Sequence, residues 1–243
     1  MSRVLDQKHN LSDSHVMLEA LAEELRMPLL HIIRGSELAL LKADYTQNSL
    51  ESVRQNASTA LNLVESYLLG LQIADKQSGL DLQPTSINSV LYDVMHSLDG
   101  LAKQYDIDLQ LDVEHNRKLV MANPAGLQAA FLSLTYSFIQ ANNLTTNDKS
   151  KIVRLVAHRK SDRIAAGVYG EGKSISAKQL RAACIWYGKF KQPLNNLSSS
   201  SAAGIFVAYK ILKSMTSELK TARYNRLSGL SVSLHPSAQL NLI

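Results

Sequence analysis

Between residues 48 and 77 the apolar residues Leu50, Val53, Ala57, Ala60, Val64, Tyr67 and Leu71 recur at spacings of 3-4-3-4-3-4. A heptad seam of that length predicts a helix from about 48 to about 77, about 45 Å long at 1.5 Å per residue. A second helix is predicted from about 14 to about 43, where Leu18, Leu21, Leu25 and Ile32 keep a similar stripe and Ser12, Asp13 or Ser14 offers a cap. Asp44 to Asn48 supplies the turn between them. Two long antiparallel helices cannot cover broad apolar faces by themselves. A second copy of the hairpin, giving a homodimeric four-helix bundle, is the expected solution. Packing of the hairpin on the chain's own downstream half is the alternative.

Downstream the pattern changes. Leu80–Ile87 reads as a short strand and turn, with Pro84 placing it at a sheet edge. Asn88–Tyr105 is amphipathic, through Val90, Leu91, Val94, Leu98 and Leu101, and Ile107–Val113 alternates strictly as a half-buried strand does. Lys118–Ala122 is a further strand. Asn123-Pro124 then opens a helix with a capping side chain and a first-turn proline, running to about Asn142. Lys151–His158 and Arg163–Tyr169 form a strand pair, a weaker helix covers about 176–187, a further helix about 202–216, and Leu219–Tyr224 with Leu230–Leu234 close the chain. Helices laid on one mixed sheet make an α/β sandwich. The expected domains are therefore a flexible tail at 1–12, a helical hairpin at 13–78 and a sandwich at 79–243.

Composition narrows the classes. The single cysteine, Cys184, rules out an intramolecular disulfide framework and fits a reducing, cytoplasmic setting. No apolar run has membrane-spanning length and the polar start lacks a signal-peptide core, so no membrane segment is expected. A formal charge of +5 is mild. Its densest basic segment, from Lys149 to Arg163, alternates like a solvated sheet edge, which argues against nucleic acid as the partner. His31, His96 and His115 have no metal-ligand spacing around them, and no metal is expected.

Pro28 lies inside the first helical stripe, where it removes a backbone hydrogen bond and crowds the preceding turn. Because the stripe continues on both sides, one kinked helix is predicted rather than two elements. The words around it, Glu23-Glu24-Leu25-Arg26-Met27-Pro28-Leu29, resemble the phosphoacceptor motif of sensor histidine kinases, His-Glu-Leu-Arg-x-Pro-Leu. Glu24, Leu25, Arg26, Pro28 and Leu29 match, and Glu23 stands at the position of the phosphorylated histidine. The segment after residue 79 resembles that family's ATP-binding domain, of the type shared with gyrase and Hsp90. Residues 123–134 are similar to the approach to its asparagine-box helix.

The framework positions match and the chemical ones differ. Ser133 and Ser137 stand for the box asparagines, the second of which holds Mg²⁺ in the family. In Val168-Tyr169-Gly170-Glu171-Gly172 the glycines of Asp-x-Gly-x-Gly remain, but Val168 replaces the aspartate that binds adenine. In the Gly-x-Gly-Leu-Gly-Leu lid, Ser200–Ile205 keeps Gly204 alone. The resemblance thus implies a pseudokinase with ATP and Mg²⁺ binding lost and no catalytic residue, Glu24 occupying the base position. It implies a homodimeric adaptor in two-component signalling, its partner a response-regulator receiver domain or an active histidine kinase. Glu23, Glu24, Arg26, Met27 and Leu30, taken as exposed, form the expected partner surface. His31 lies eight residues beyond Glu23 and is read as a surface or seam histidine rather than a displaced phosphoacceptor. Two competing readings remain: a residual phosphotransferase, phosphatase or weak ATP-dependent kinase, and a nucleic-acid-binding regulator using the basic segment.

Overall fold

The computed structural model describes residues 2–41, 46–75, 80–114, 119–143, 151–171, 175–186 and 199–237. Two long helices, α1 (Ser2–Leu41) and α2 (Thr46–Asp75), form the hairpin. α1 passes through Pro28 as one element and begins at Ser2 rather than near residue 14, so residues expected in a tail are helical. Nothing from Ser2 to Asp13 is a glycine or proline that would stop it.

The second half is β1 (Gln83–Ser86), α3 (Ile87–Gln104), β2 (Ile107–Val113), β3 (Leu119–Ala122), α4 (Pro124–Asn143), β4 (Lys151–Lys160), β5 (Arg163–Gly170), α5 (Ala177–Trp186), α6 (Ser199–Ser214), β6 (Leu219–Tyr224) and β7 (Leu227–Leu234). β1 and β3 form a small antiparallel pair, and the main sheet has the order β2-β4-β5-β7-β6. β2 and β4 are parallel, and the remaining neighbours are antiparallel. Of the predicted caps, Asn123 is present, whereas Ser12, Asp13 and Ser14 lie inside α1; Ser86 caps α3. The Ser86 hydroxyl accepts from the Ser89 N–H at 3.2 Å, and Asn123 Oδ1 accepts from the Gly126 N–H at 2.8 Å.

One core joins the sheet's inner face, through Val153, Leu155, Val168, Leu230 and Val232, to α3, α4 and α6. Leu63 and Tyr67 of α2 belong to the same core, with Leu21 and Leu25 of α1 packed on its margin. The hairpin is therefore docked on its own sandwich. Side chains also tie it there: Asn56 Nδ2 donates to Gln104 Oε1 at 3.1 Å, and Gln104 Nε2 donates to Ser52 Oγ at 3.0 Å.

The docked face is rotated from the seam read in the sequence. Buried along α2 are Asn56, Thr59, Ala60, Leu63, Ser66, Tyr67 and Gly70, while Leu50 and Ala57 of the seam are exposed. Asn56, Thr59 and Ser66 are tolerated inside because each hydroxyl or amide donates to the helix carbonyl four residues back. A second apolar stripe stays in solvent: Leu18, Ala22, Leu29, Ile33 and Leu40 on α1, with Leu50, Ala57, Leu61 and Leu68 on α2. His115, Lys149 and Gly172 lie outside the described residues.

Candidate functional site

α1, α2, α4 and α6 meet around Glu24. Pro28 has no amide hydrogen, so the Glu24 carbonyl, four residues back, has no partner within α1. The Tyr136 hydroxyl of α4 fills that gap, donating to the Glu24 carbonyl oxygen at 3.1 Å. Gln140 Nε2, one turn along α4, donates to the Tyr136 hydroxyl at 3.1 Å. Pro28 is itself buried in this junction. The proline's missing hydrogen bond is thus made by the sandwich.

The Glu24 side chain turns inward at 1% exposure. Burial is the larger influence on its carboxyl, and the Tyr67 hydroxyl and Gly204 N–H act in the opposite direction; burial prevails, and the pKa is raised from 4.5 to about 8. Burial also raises the Tyr136 phenol well above its ordinary value, with the Glu24 charge adding to the effect. Farther along α1, His31 Nε2 lies 3.2 Å from the Tyr105 hydroxyl at the end of α3, the rings meeting edge to face at 5.8 Å. Partial burial, then the nearby Arg34 charge, lower the His31 pKa.

No family model matches the sequence. The Circadian input-output histidine kinase CikA of Synechocystis sp. is 27% identical over 133 residues, which is 47% of this chain and 18% of that relative. Among solved structures, full-length ShkA in complex with AMPPNP aligns over 95% of this chain and 46% of its own, with TM-score 0.54 and 15% identity. Histidine kinase ThkA in complex with response regulator protein TrrA aligns over 94% and 63%, with TM-score 0.54 and 14% identity. Histidine kinase AdeS of Acinetobacter baumannii aligns over 87% and 96%, with TM-score 0.52 and 13% identity.

The fold is that of a sensor histidine kinase. The sandwich resembles the ATPase domain of histidine kinases. Glu23 and Arg26 are exposed on α1, while Met27 and Leu30 are half-buried. Glu24 departs from the expectation of an exposed partner surface. It points into the junction because Pro28 and Tyr136 hold its turn against α4.

Of the residues expected at nucleotide positions, Ser133, Ser137 and Gly204 pack against one another, and Val168 and Gly170 lie apart in β5. Ser137 is 1% exposed, and its hydroxyl donates to the Ser133 carbonyl at 2.8 Å. α6 sits directly on this turn: a Cβ at Gly204 would collide with Ser137 Oγ and the Ser133 carbonyl. Gly204 serves here as a helix-packing glycine. Among the described residues the Ser133 hydroxyl is buried without a hydrogen-bond partner. Val168 is fully buried in β5 between Leu155 and Leu230. Gly170 ends β5 beneath α4, where an added Cβ would lie 2.9 Å from Asn142 Nδ2 and 3.2 Å from Phe138 Cδ1. A self-satisfied hydroxyl and a hydrocarbon do not fit a magnesium nucleotide at these positions.

Among the described residues no group of three or more His, Cys, Asp or Glu has a metal-binding arrangement, and no helix is long and apolar enough to cross a membrane. In the basic segment, Arg154 donates through Nε and Nη2 to Gln110 Oε1 at 2.9 and 2.5 Å. Sequence reasoning missed the Tyr67, Tyr105, Tyr136 and Gln140 network. Its visible trace was Tyr136 and Gln140, one turn apart on the same face of α4.

Proposed function

We propose that this chain is a homodimeric adaptor of two-component signalling that carries the histidine kinase fold without running its phosphoryl transfer. The observation that carries the reading is the pairing of an exposed Glu23, at the phosphoacceptor position, with a buried Ser137 whose hydroxyl is already committed to Ser133. A carboxylate lacks the imidazole nitrogen that autophosphorylation uses. Val168 offers adenine no acceptor, and an unmet buried hydrogen bond of that kind costs about 1–3 kcal/mol. Sites are argued from their residues, and these residues have lost the chemistry while the frame persists.

The dimer rests on the second apolar stripe. Leu18, Ala22, Leu29, Ile33 and Leu40 follow 4-7-4-7 spacing on α1, and Leu50, Ala57, Leu61 and Leu68 line α2. Docking on the sandwich leaves that stripe in water, where a second hairpin would bury it as a four-helix bundle. A receiver domain or an active histidine kinase is the partner we assign to the exposed Glu23 and Arg26 surface with Met27 and Leu30. The ThkA–TrrA complex, a histidine kinase with its response regulator, supports that class of partner.

Two measurements on the full chain test the reading. Titration with Mg-ATP is expected to leave the melting temperature unmoved, since a ligand that does not bind the native state cannot stabilise it. Incubation with γ-labelled ATP is expected to leave the chain unlabelled, and E23H should remain unlabelled as well. Saturable stabilisation with label on the chain would establish the residual-enzyme reading instead.

A further inference from the structure

The junction around Glu24 has a consequence beyond signalling class. Its carboxyl is sealed from water by three helices of the same chain. Among the described residues neither oxygen of that carboxyl has a hydrogen-bond partner; the groups that face it are the Tyr67 hydroxyl of α2, the Tyr136 phenol of α4 and the Gly204 N–H of α6. None of these is a cation. On α1 itself, Glu23 and Arg26 are exposed, and His31 is engaged with Tyr105 of the sandwich nearly two turns away. A carboxylate buried among neutral groups is strongly disfavoured, so the side chain enters such a site as the acid.

We propose that docking of the hairpin on the sandwich is proton-linked through Glu24, the closed arrangement taking up one proton at this carboxyl and opening releasing it. The Glu24 backbone is pinned by Tyr136 at the carbonyl that Pro28 freed, so the side chain cannot leave the junction while α1 stays seated. When the hairpin lifts, Glu24 meets water and returns to the ordinary carboxyl value of 4.5, against about 8 when closed. The sign follows from the raised value. The closed form is fully supported below pH 4.5, loses support as pH rises, and has lost all of this contribution above about 8. Between those limits one proton leaves per opening, so the ratio of open to closed molecules rises up to about tenfold per pH unit. Opening uncovers Leu63 and Tyr67 of α2 and the seam where Gly204 meets Ser137.

Amide hydrogen exchange on the full chain, corrected for intrinsic rates, reads the opening directly in peptides from 60–71 and 203–212. The slope is taken well above pH 6.5, where the neutral form of His31 prevails in both the closed and the open arrangement. The wild type is expected to open about tenfold more per pH unit up to about pH 8, and E24Q, which is neutral throughout, is expected to be flat. The side-chain carboxyl carbon of Glu24, followed by ¹³C NMR, should titrate near 8. A flat wild-type profile, an E24Q slope equal to that of the wild type, or a Glu24 carbon titrating near 4.5 would overturn the proposal. If E24Q does not fold, the carbon titration of the wild type decides by itself.

Discussion

The Tyr136 hydroxyl donates at 3.1 Å to the Glu24 carbonyl, the acceptor whose amide donor Pro28 removed from α1. A defect written into the first helix is thereby mended by the fourth, and the hairpin is keyed to the sandwich at one turn. This makes the stability of the junction depend on two residues more than 100 positions apart. Removing either changes what the other is needed for.

Tyr136→Phe is expected to destabilise the protein by about 1–3 kcal/mol, because a buried carbonyl is left without a donor. In a Pro28→Ala background the residue-28 amide can again reach the Glu24 carbonyl, and the same substitution should then cost clearly less. Urea unfolding of the two single variants and the double variant measures that coupling. Additive free energies would show that the proline and the phenol act independently.

Gly204→Ala tests the contact between α4 and α6. The added methyl would meet Ser137 Oγ, which can rotate, and the Ser133 carbonyl, which is fixed in a helix. A loss of roughly 1–3 kcal/mol is expected from overpacking. Ser137→Ala should relieve part of it and not all. Thermal melts of the three variants give the comparison, and a Gly204→Ala variant as stable as the wild type would refute the close packing.

His31 should add an acid limb to the stability profile, opposite in sense to that of Glu24. Partial burial and Arg34 hold its pKa below 6.5, so the neutral ring is favoured in the folded state. Its contribution is present above 6.5 and is lost as pH falls through the lowered folded value. His31→Asn should remove this limb and leave stability falling more steeply with rising pH just below pH 6.5, as Glu24 alone dictates, in denaturant titrations. A profile in His31→Asn identical to that of the wild type would remove His31 from the account.

Leu61→Glu with Leu68→Glu places two charges on the outward face of α2, away from the docked face. If a second hairpin covers that stripe, light scattering coupled to size exclusion should show a dimer for the wild type and a monomer for the variant. The fold of each subunit should persist, because both positions are already in solvent. A wild type that elutes as a monomer at all concentrations would leave the stripe without its proposed cover.

Local patterns carried a large part of this molecule. The periodicity of α2, the Asn123 cap and the alternation in Ile107–Val113 act through neighbours in sequence, and those elements formed within a few residues of where the signals placed them, whereas α1 began well before its predicted start. The motif words around Pro28 likewise identified the frame. Which face of α2 turned inward was decided by tertiary packing. Periodicity reports how apolar residues repeat, but α2 has two candidate faces, and only the shape of α3, α4 and α6 selects the one with Leu63 and Tyr67. Glu24 shows the same limit. Its composition and position marked it as an exposed acid, whereas a neighbour far along the chain, Tyr136, holds it in an apolar junction where a carboxyl keeps its proton.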